Sequence, residues 1–468
     1  MTASPHFSGT KVSRMISFLR AHKRVITFSL VAFAAFWLAP SLREAGPFVF
    51  LLIFTMFLTL IASQLFWIRR VRELGKRMIP SRRWRKGLGA VGLLVYLFLL
   101  AFNLFTWNTE SNKGSGLTLR AALLEAPLWL WLVGSFFGFL IAILLGTIDG
   151  IARAMSWAFK KFITTRADLQ SPGRRRFLEQ TAIVLSAAPF VAGTYGLFYG
   201  RLNLETAHQR IKLGRLPKAF EGFRIVQLSD LHISPFMSAE EIRRYVAIAN
   251  QLKGDLVVLT GDFLTWDHAA EGAVVQALSA LKAPFGVFGC LGNHEIYTEA
   301  QDSITRLFAA EGTHILRHAR MVLQTGDEAL NLIGVDFQGN HDGPDWPQSA
   351  YLRGVERLMM PETANLLLSH NPNSFDRAAE LGIDLTLAGH THGGQLSLEF
   401  LHRGLCLSRF ETRYVSGWYE KSGSQIYVNR GIGTIGFPIR FGTRPEITVF
   451  ELTREGGSTT QRAFPTTA

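Results

Sequence analysis

Five short clusters in the second half of the chain combine carboxylate, imidazole and carboxamide donors: Asp230-Leu231-His232, Gly261-Asp262, Gly292-Asn293-His294-Glu295, Ser369-His370-Asn371-Pro372 and Gly389-His390-Thr391-His392. Hard oxygen and imidazole donors without a thiolate suit Mn²⁺, Fe²⁺/Fe³⁺, Zn²⁺ or Mg²⁺. One aspartate sharing its two oxygens can hold two cations roughly 3.5–4 Å apart, a spacing suited to in-line phosphoryl displacement, and Asp262 is the natural bridge. Such a pair clamps phosphate oxygens and lowers the pKa of a bound water, making hydroxide available near neutral pH.

The elements that must position these groups are legible from the runs before them. Each cluster ends an apolar stretch rich in branched residues: Ile225-Val226, Leu256 to Leu259, Phe285 to Leu291, Leu366 to Leu368, and Leu385 to Ala388. Runs of this kind read as buried strands ending in loops, so the clusters converge at one sheet edge. From about Thr206 short strands alternate with amphipathic helices, as in a layered α/β domain. Ser238-Ala239-Glu240-Glu241 is a capping box opening a helix with Ile242, Tyr245, Val246, Ile248 and Ala249 on one side. The strand-like segments Asn331 to Val335, Gln395 to Leu398, Gln425 to Asn429 and Glu446 to Leu452 have few helices between them and suggest a second, more antiparallel sheet.

The first half is different material. Val25 to Pro40, Phe48 to Ile68, Leu88 to Trp107 and Leu128 to Ile148 are nearly uncharged apolar stretches, each about as long as the ~20 residues a membrane-spanning helix needs. Thr181 to Gly200, interrupted by Pro189, Gly193 and Gly196, is a weaker fifth span. The organisation expected is a transmembrane region over 1–200, an α/β domain over 201–454 and a frayed tail over 455–468.

The net charge of +13 resides in the membrane half, where residues 1–200 hold 24 Lys+Arg against 7 Asp+Glu; residues 201–468 hold 25 against 29. A nucleic-acid partner would need its basic stripe on the metal-ligand domain, which is slightly acidic, so none is expected. Basic residues cluster before the first span, between Arg69 and Lys86, and from Arg153 to Arg176, while Ser41 to Pro47 and the loop Asn108 to Pro127 are nearly neutral. The basic segments are therefore cytoplasmic. A fifth span then carries the metal domain across the inner membrane to the periplasmic, extracytoplasmic side. Arg174-Arg175-Arg176-Phe177-Leu178 resembles a twin-arginine export signal, in keeping with that direction. The alternative is an interfacial helix that leaves the domain in the cytoplasm. Cys290 and Cys406 form no disulfide framework; Cys290 reads as a small buried hydrophobe, and a bond between them needs a proximity the sequence does not show.

In order and spacing, Asp-x-His, Gly-Asp, Gly-Asn-His-Glu, a lone His and Gly-His-Thr-His resemble the calcineurin-like metallophosphoesterase superfamily, specifically its membrane-linked bacterial branch. The match covers about residues 206 to 454, with Asn429-Arg430-Gly431 and Arg444-Pro445-Glu446 included. The resemblance implies a four-layer α/β/β/α sandwich. It implies one cation on Asp230, His232, Asp262 and His392, and a second on Asp262, Asn293, His370 and His390. His294 would be a catalytic acid or a cation near the leaving group, acting together with Asp262. Glu295 reads as a supporting or helix-start residue. Arg430 and Arg440 read as salt-bridge residues rather than phosphate ligands, and the remaining histidines lack ligand spacing.

The function expected is that of a membrane-bound phosphoesterase whose metal-bound hydroxide attacks a phosphate ester, with a lipid-linked or envelope substrate. The alternatives are a phosphodiesterase or pyrophosphatase acting on UDP-diacylglucosamine or nucleotides on the cytoplasmic side, and a non-catalytic receptor that uses metals only to fold. The UDP-diacylglucosamine reading conflicts with an exported domain, so topology and substrate must be settled together.

Overall fold

The computed structural model describes residues 46–106, 120–162, 172–339, 351–402 and 404–454. The first expected span, Val25 to Pro40, and the 455–468 tail lie outside them. Two compact units divide at Pro80 and Ser81. The described part of the first is one helix, α1 (Gly46–Met78), which carries the Phe48–Ile68 stretch and ends on Lys76 and Arg77.

In the second unit, α2 (Arg82–Thr106), α3 (Ala126–Phe162) and α4 (Pro172–Tyr195) contain the remaining spans. Among the described residues three helical segments are long and apolar enough to cross a membrane: Arg82–Asn103, Ala121–Ala152 and Gln180–Gly200. The stretch read as a loop up to Pro127 is already helical at Arg120, because a π-helical turn at Ala121–Glu125 leads straight into α3. Arg174 to Leu178 lie within α4. Leu88, Val91, Leu94 and Phe98 on α2 are exposed, as side chains facing lipid must be. Helices α3 and α4 approach closely at small residues: a Cβ on Gly134 would meet the Phe190 ring, and one on Gly193 would meet Leu130. Small residues at such crossings let backbones approach where lipid supplies no hydrophobic drive.

The rest of the second unit is a sandwich of two six-stranded sheets. In chain order its strands are β1 (Glu205–Leu213), β2 (Arg224–Leu228), β3 (Leu256–Thr260), β4 (Val287–Cys290), β5 (Thr313–Ile315), β6 (Ala319–Thr325), β7 (Glu328–Gly334), β8 (Asn365–Leu368), β9 (Leu385–Ala388), β10 (Gly417–Lys421), β11 (Ser424–Val428) and β12 (Glu446–Arg454). The first sheet runs β1-β12-β2-β3-β4-β5 and the second β10-β11-β9-β8-β7-β6. Period-two alternation makes the layers. Leu256 and Val258 point between the sheets, while Val257 and Leu259 point at the outer helices. Leu366 and Leu368 likewise face the inner core, with Leu367 turned to the helix on the opposite outer face. The capped helix is α5 (Ala239–Gln251): Ser238 Oγ accepts from Glu241 N, and Glu241 returns a bond to Ser238 N. It buries Ile242, Tyr245, Val246 and Ala249, each large apolar side chain contributing about 1.5–3 kcal/mol.

Three expectations are corrected. Glu446 to Leu452 belongs to the first sheet, where β12 pairs parallel to β1 and antiparallel to β2; both its faces are buried, so it inserts in a sheet interior. The second sheet is mixed rather than mainly antiparallel: β7, β8, β9 and β11 are parallel, and only its two edge pairs run antiparallel. Gln395 to Leu398 forms isolated bridges, Leu396 with Phe441 and Ser397 with Cys406, instead of a strand, because Gly393 and Gly394 turn the chain immediately before it.

The last membrane helix is locked to the sandwich. A π-helical turn at Gly196–Gly200 follows α4; Cβ atoms on Gly196 and Gly200 would sit 2.6 and 2.2 Å from the Arg440 carbonyl oxygen. Buried Arg201 donates to the Leu197 and Phe236 carbonyls and lies 3.6 Å from Glu241. Leu197, Phe236 and Ile439 close an apolar seam with Ala121 and Ala126.

Candidate metal centre

All five clusters lie just beyond the C-terminal ends of parallel strands: β2, β3 and β4 of the first sheet and β8 and β9 of the second. Side chains there lose the ladder and turn into loops, where groups from neighbouring strands can meet. The backbone is bent hard to bring them together. Asp230, His232, Asp262, His390 and His392 all have φ between 48° and 76°, a left-handed conformation costing on the order of 1–3 kcal/mol per non-glycine residue and found mainly where function fixes it. Glycine is required beside them: a Cβ on Gly389 would lie 2.3 Å from Asp230 Oδ2, and one on Gly292 would lie 2.1 Å from Asp262 Oδ1.

The expected ligands are brought to one centre. His370 Nε2 is 3.1 Å from Asp262 Oδ2 and 3.2 Å from His390 Nδ1. His232 Nε2 is 3.4 Å from the same Asp262 oxygen and 3.0 Å from His392 Nε2. His392 Nε2 in turn is 3.4 Å from Asp230 Oδ1. Three triads therefore form donor sets, Asp230–His232–His392, Asp262–His370–His390 and His232–Asp262–His294, with Asp262 in two of them. Asn293 is buried, and its Oδ1 has no hydrogen-bond partner. Clustered imidazole nitrogens and carboxylates, with a buried orphan acceptor in the loop whose next residue donates from His294 N to Asp262 Oδ1 at 3.0 Å, are the pattern a cation resolves, so the residues fit a metal.

Neighbouring groups orient each donor. His232 Nδ1 donates to the Leu264 carbonyl at 2.9 Å and His370 Nδ1 to the Thr260 carbonyl at 2.6 Å, which turns both Nε2 atoms inward. His390 Nε2 donates to Glu411 Oε1 at 2.9 Å, leaving Nδ1 for the centre. His392 is the exception, because its Nδ1 accepts from the guanidinium of fully buried Arg440 at 3.2 Å. Glu295 is also fully buried: Oε2 accepts from Asp262 N and Gly292 N, and Oε1 from Phe263 N and Leu264 N. One carboxylate thus joins two ligand loops. Arg430 pairs with Glu446 and Glu205.

Electrostatics follow from burial and from these pairs. Burial alone would lower His370, but the Asp262 and Asp230 carboxylates outweigh it and push the imidazole up to about 10. Burial would raise Asp262, and His370 with the bond from His232 instead holds it well below the usual carboxylate range. For Asp230 burial prevails and its carboxyl is raised. Burial pushes His294 down to about 4, only partly offset by Asp262; its Nδ1 contacts the Thr265 carbonyl and its ring meets Trp266 edge-on at 4.6 Å. A neutral His294 therefore presents an unprotonated Nε2 at pH 7.

Glu411 and Arg440 carry roles the sequence reading did not give them. Glu411 is twenty-one residues beyond His390 in an irregular loop, with no motif to flag it. Cys290 and Cys406 are both free and buried.

The family model of the calcineurin-like phosphoesterases matches residues 223–394, and the model of the transmembrane domain of probable calcineurin-like phosphoesterases matches 43–201. The uncharacterized metallophosphoesterase YkuE of Bacillus subtilis is 33% identical over 295 residues, 61% of this chain and 99% of its own. Phosphodiesterase YaeI of Escherichia coli is 29% identical over 282 residues, 60% of this chain and 98% of its own. A zebrafish (Danio rerio) transmembrane protein with metallophosphoesterase domain is 26% identical over 416 residues, 85% of this chain and 87% of its own, so that match enters both halves. This chain belongs to the calcineurin-like metallophosphoesterase family. It is a membrane-associated, metal-dependent phosphoester hydrolase.

Proposed function

We propose that the centre holds two divalent cations bridged by Asp262, and that the enzyme hydrolyses a membrane-associated phosphate ester on the extracytoplasmic side. The carrying observation is that the donor sets Asp230–His232–His392 and Asp262–His370–His390 are joined through a third that contains His232 and Asp262, with the orphan Asn293 Oδ1 buried in the adjoining loop. Asp230, His232 and His392 would hold one cation; Asn293, His370 and His390 would hold the other. When bound, such a pair supplies Lewis acidity to the phosphoryl oxygens and acidifies water. His294 offers an Nε2 that would accept a proton from the attacking water and return it to the leaving oxygen, while Glu295 fixes the loop bearing Asp262. The identity of the metals among Mn, Zn, Fe and Mg is left to the assay. The charge asymmetry of the membrane half supports the orientation, and the name of the Escherichia coli relative favours a diester.

The test uses the full chain, chelated and then supplied with Mn²⁺, Zn²⁺ or Mg²⁺, on bis(p-nitrophenyl) phosphate and p-nitrophenyl phosphate beside Asp262→Asn. Metal-dependent turnover that the substitution removes, with diester preferred, is expected. Two bound cations without turnover, or turnover surviving in Asp262→Asn, would overturn it. Protease added to spheroplasts, whose outer membrane has been opened, should cleave the sandwich; full protection there, with cleavage only after lysis, would reverse the orientation.

A further inference from the structure

Among the described residues from 201 to 454, eleven large apolar side chains are exposed, and six of them crowd into thirteen positions: Leu398, Phe400, Leu401, Leu405, Leu407 and Phe410. Phe410 is 92% exposed, and Phe400 and Leu401 66% and 68%. A patch of this density on a soluble face marks an interaction surface. Its base is ordered: Leu398 N donates to the Leu405 carbonyl at 2.8 Å, Ser397 N to the Phe441 carbonyl at 2.8 Å, and Arg409 pairs with Glu399 at 2.9 Å.

The loop joins the bilayer end of the molecule to the metal ligands. On one side Phe400 packs edge-on against Phe441, and Phe441 against Tyr195 at the end of α4. Tyr195, Phe198 and Tyr199 are themselves exposed there, the aromatic character expected where a spanning helix meets the headgroup layer. On the other side Ser408 Oγ donates to the Thr391 carbonyl at 3.1 Å, between ligands His390 and His392, and Glu411 holds His390.

We propose that Leu398, Phe400, Leu401, Leu405, Leu407 and Phe410 seat in the leaflet at the end of the last membrane helix, so that the metal centre opens onto phosphate esters anchored by a lipid chain. Continuity with the aromatic end of α4 favours the bilayer as occupant over a second copy of the chain. The seating stands on the exposed side chains alone; the substrate class rests on the phosphoesterase reading above.

Two measurements on the full chain in phosphatidylethanolamine–phosphatidylglycerol nanodiscs test it. A nitroxide on Phe410→Cys, with the buried native thiols as background, should be accessible to oxygen and shielded from a water-soluble paramagnet, unlike a label on exposed Glu420→Cys. Equal accessibility of both labels to the aqueous reagent would overturn the seating, as would shielding that appears only as protein concentration rises in detergent, which would indicate a second copy. The triple variant Phe400→Ser/Leu401→Ser/Phe410→Ser should lower turnover of vesicle-borne hexadecyl p-nitrophenyl phosphate about tenfold relative to bis(p-nitrophenyl) phosphate. An unchanged ratio would overturn the substrate class. Wild-type inactivity on both esters would sink the phosphoesterase reading while leaving the label depths to decide the seating.

Discussion

The two halves of the metal centre are built from the same residue types and prepared differently. In the His370–His390 half both imidazoles donate their outward N–H, one to the Thr260 carbonyl and one to the Glu411 carboxylate, so both tautomers already point the right way and only the extra proton that His370 holds against Asp262 has to leave. In the Asp230–His232–His392 half only His232 is so arranged. His392 faces a guanidinium, which has donors and no acceptor. Its neutral form therefore keeps the proton on Nε2, aimed at His232 Nε2 3.0 Å away. Loading this half requires that proton to leave or to move to Nδ1 against Arg440. One half needs only the loss of the His370 proton; the other must also rearrange a tautomer against Arg440, and the first equivalent of metal should fill the His370–His390 half.

Removing His294 tests what lies beside both halves. His294→Ala should lower kcat about 10²–10⁴-fold while metal stoichiometry and thermal midpoint stay near wild type. A loss of bound metal equal to the loss of rate would make it a ligand rather than a proton carrier.

Glu411→Gln strikes the prepared half alone. Orienting partners of metal-bound histidines are worth about 10–100-fold in affinity, so the first Mn²⁺-binding step should weaken by that factor and the second should not. Equal weakening of both steps would dissolve the distinction between the halves.

A smaller effect comes from protons. In the metal-free protein His370 titrates at about 10, above the ~6.5 of an unfolded histidine. The stability it contributes is complete below ~6.5 and is lost as pH rises through 10. Metal must displace this proton, so affinity should rise by up to about tenfold per pH unit between pH 7 and 9, with one proton released per first cation bound. Calorimetry in buffers of different ionisation enthalpy reads that proton. Release that is absent, or seen only at the second cation, would place the raised histidine elsewhere.

Legibility differed between elements for physical reasons. Strands β2, β3, β4, β8 and β9 could be read directly because both faces are buried, which forces continuous apolar runs. The ligands at their ends follow at once in sequence. By sequence β12 falls in the wrong sheet, since its buried run is equally suited to either. Gln395 to Leu398 alternated like a strand but sits behind two left-handed glycines. Arg440 lies in a Gly-rich stretch that names no partner, yet its backbone carbonyl meets Gly196 and Gly200 while its guanidinium meets His392.

The sequence by itself determined the ligand types, their attachment to strand ends, the apolar membrane helices and the sign of the charge asymmetry, because each depends on neighbours within a few residues. Only the tertiary structure decided which proton each ligand keeps, that Glu411 and Arg440 act on opposite halves, and that Phe400 meets the end of the last membrane helix through Phe441. Those depend on contacts between segments tens to hundreds of residues apart, whose pairing no local pattern encodes.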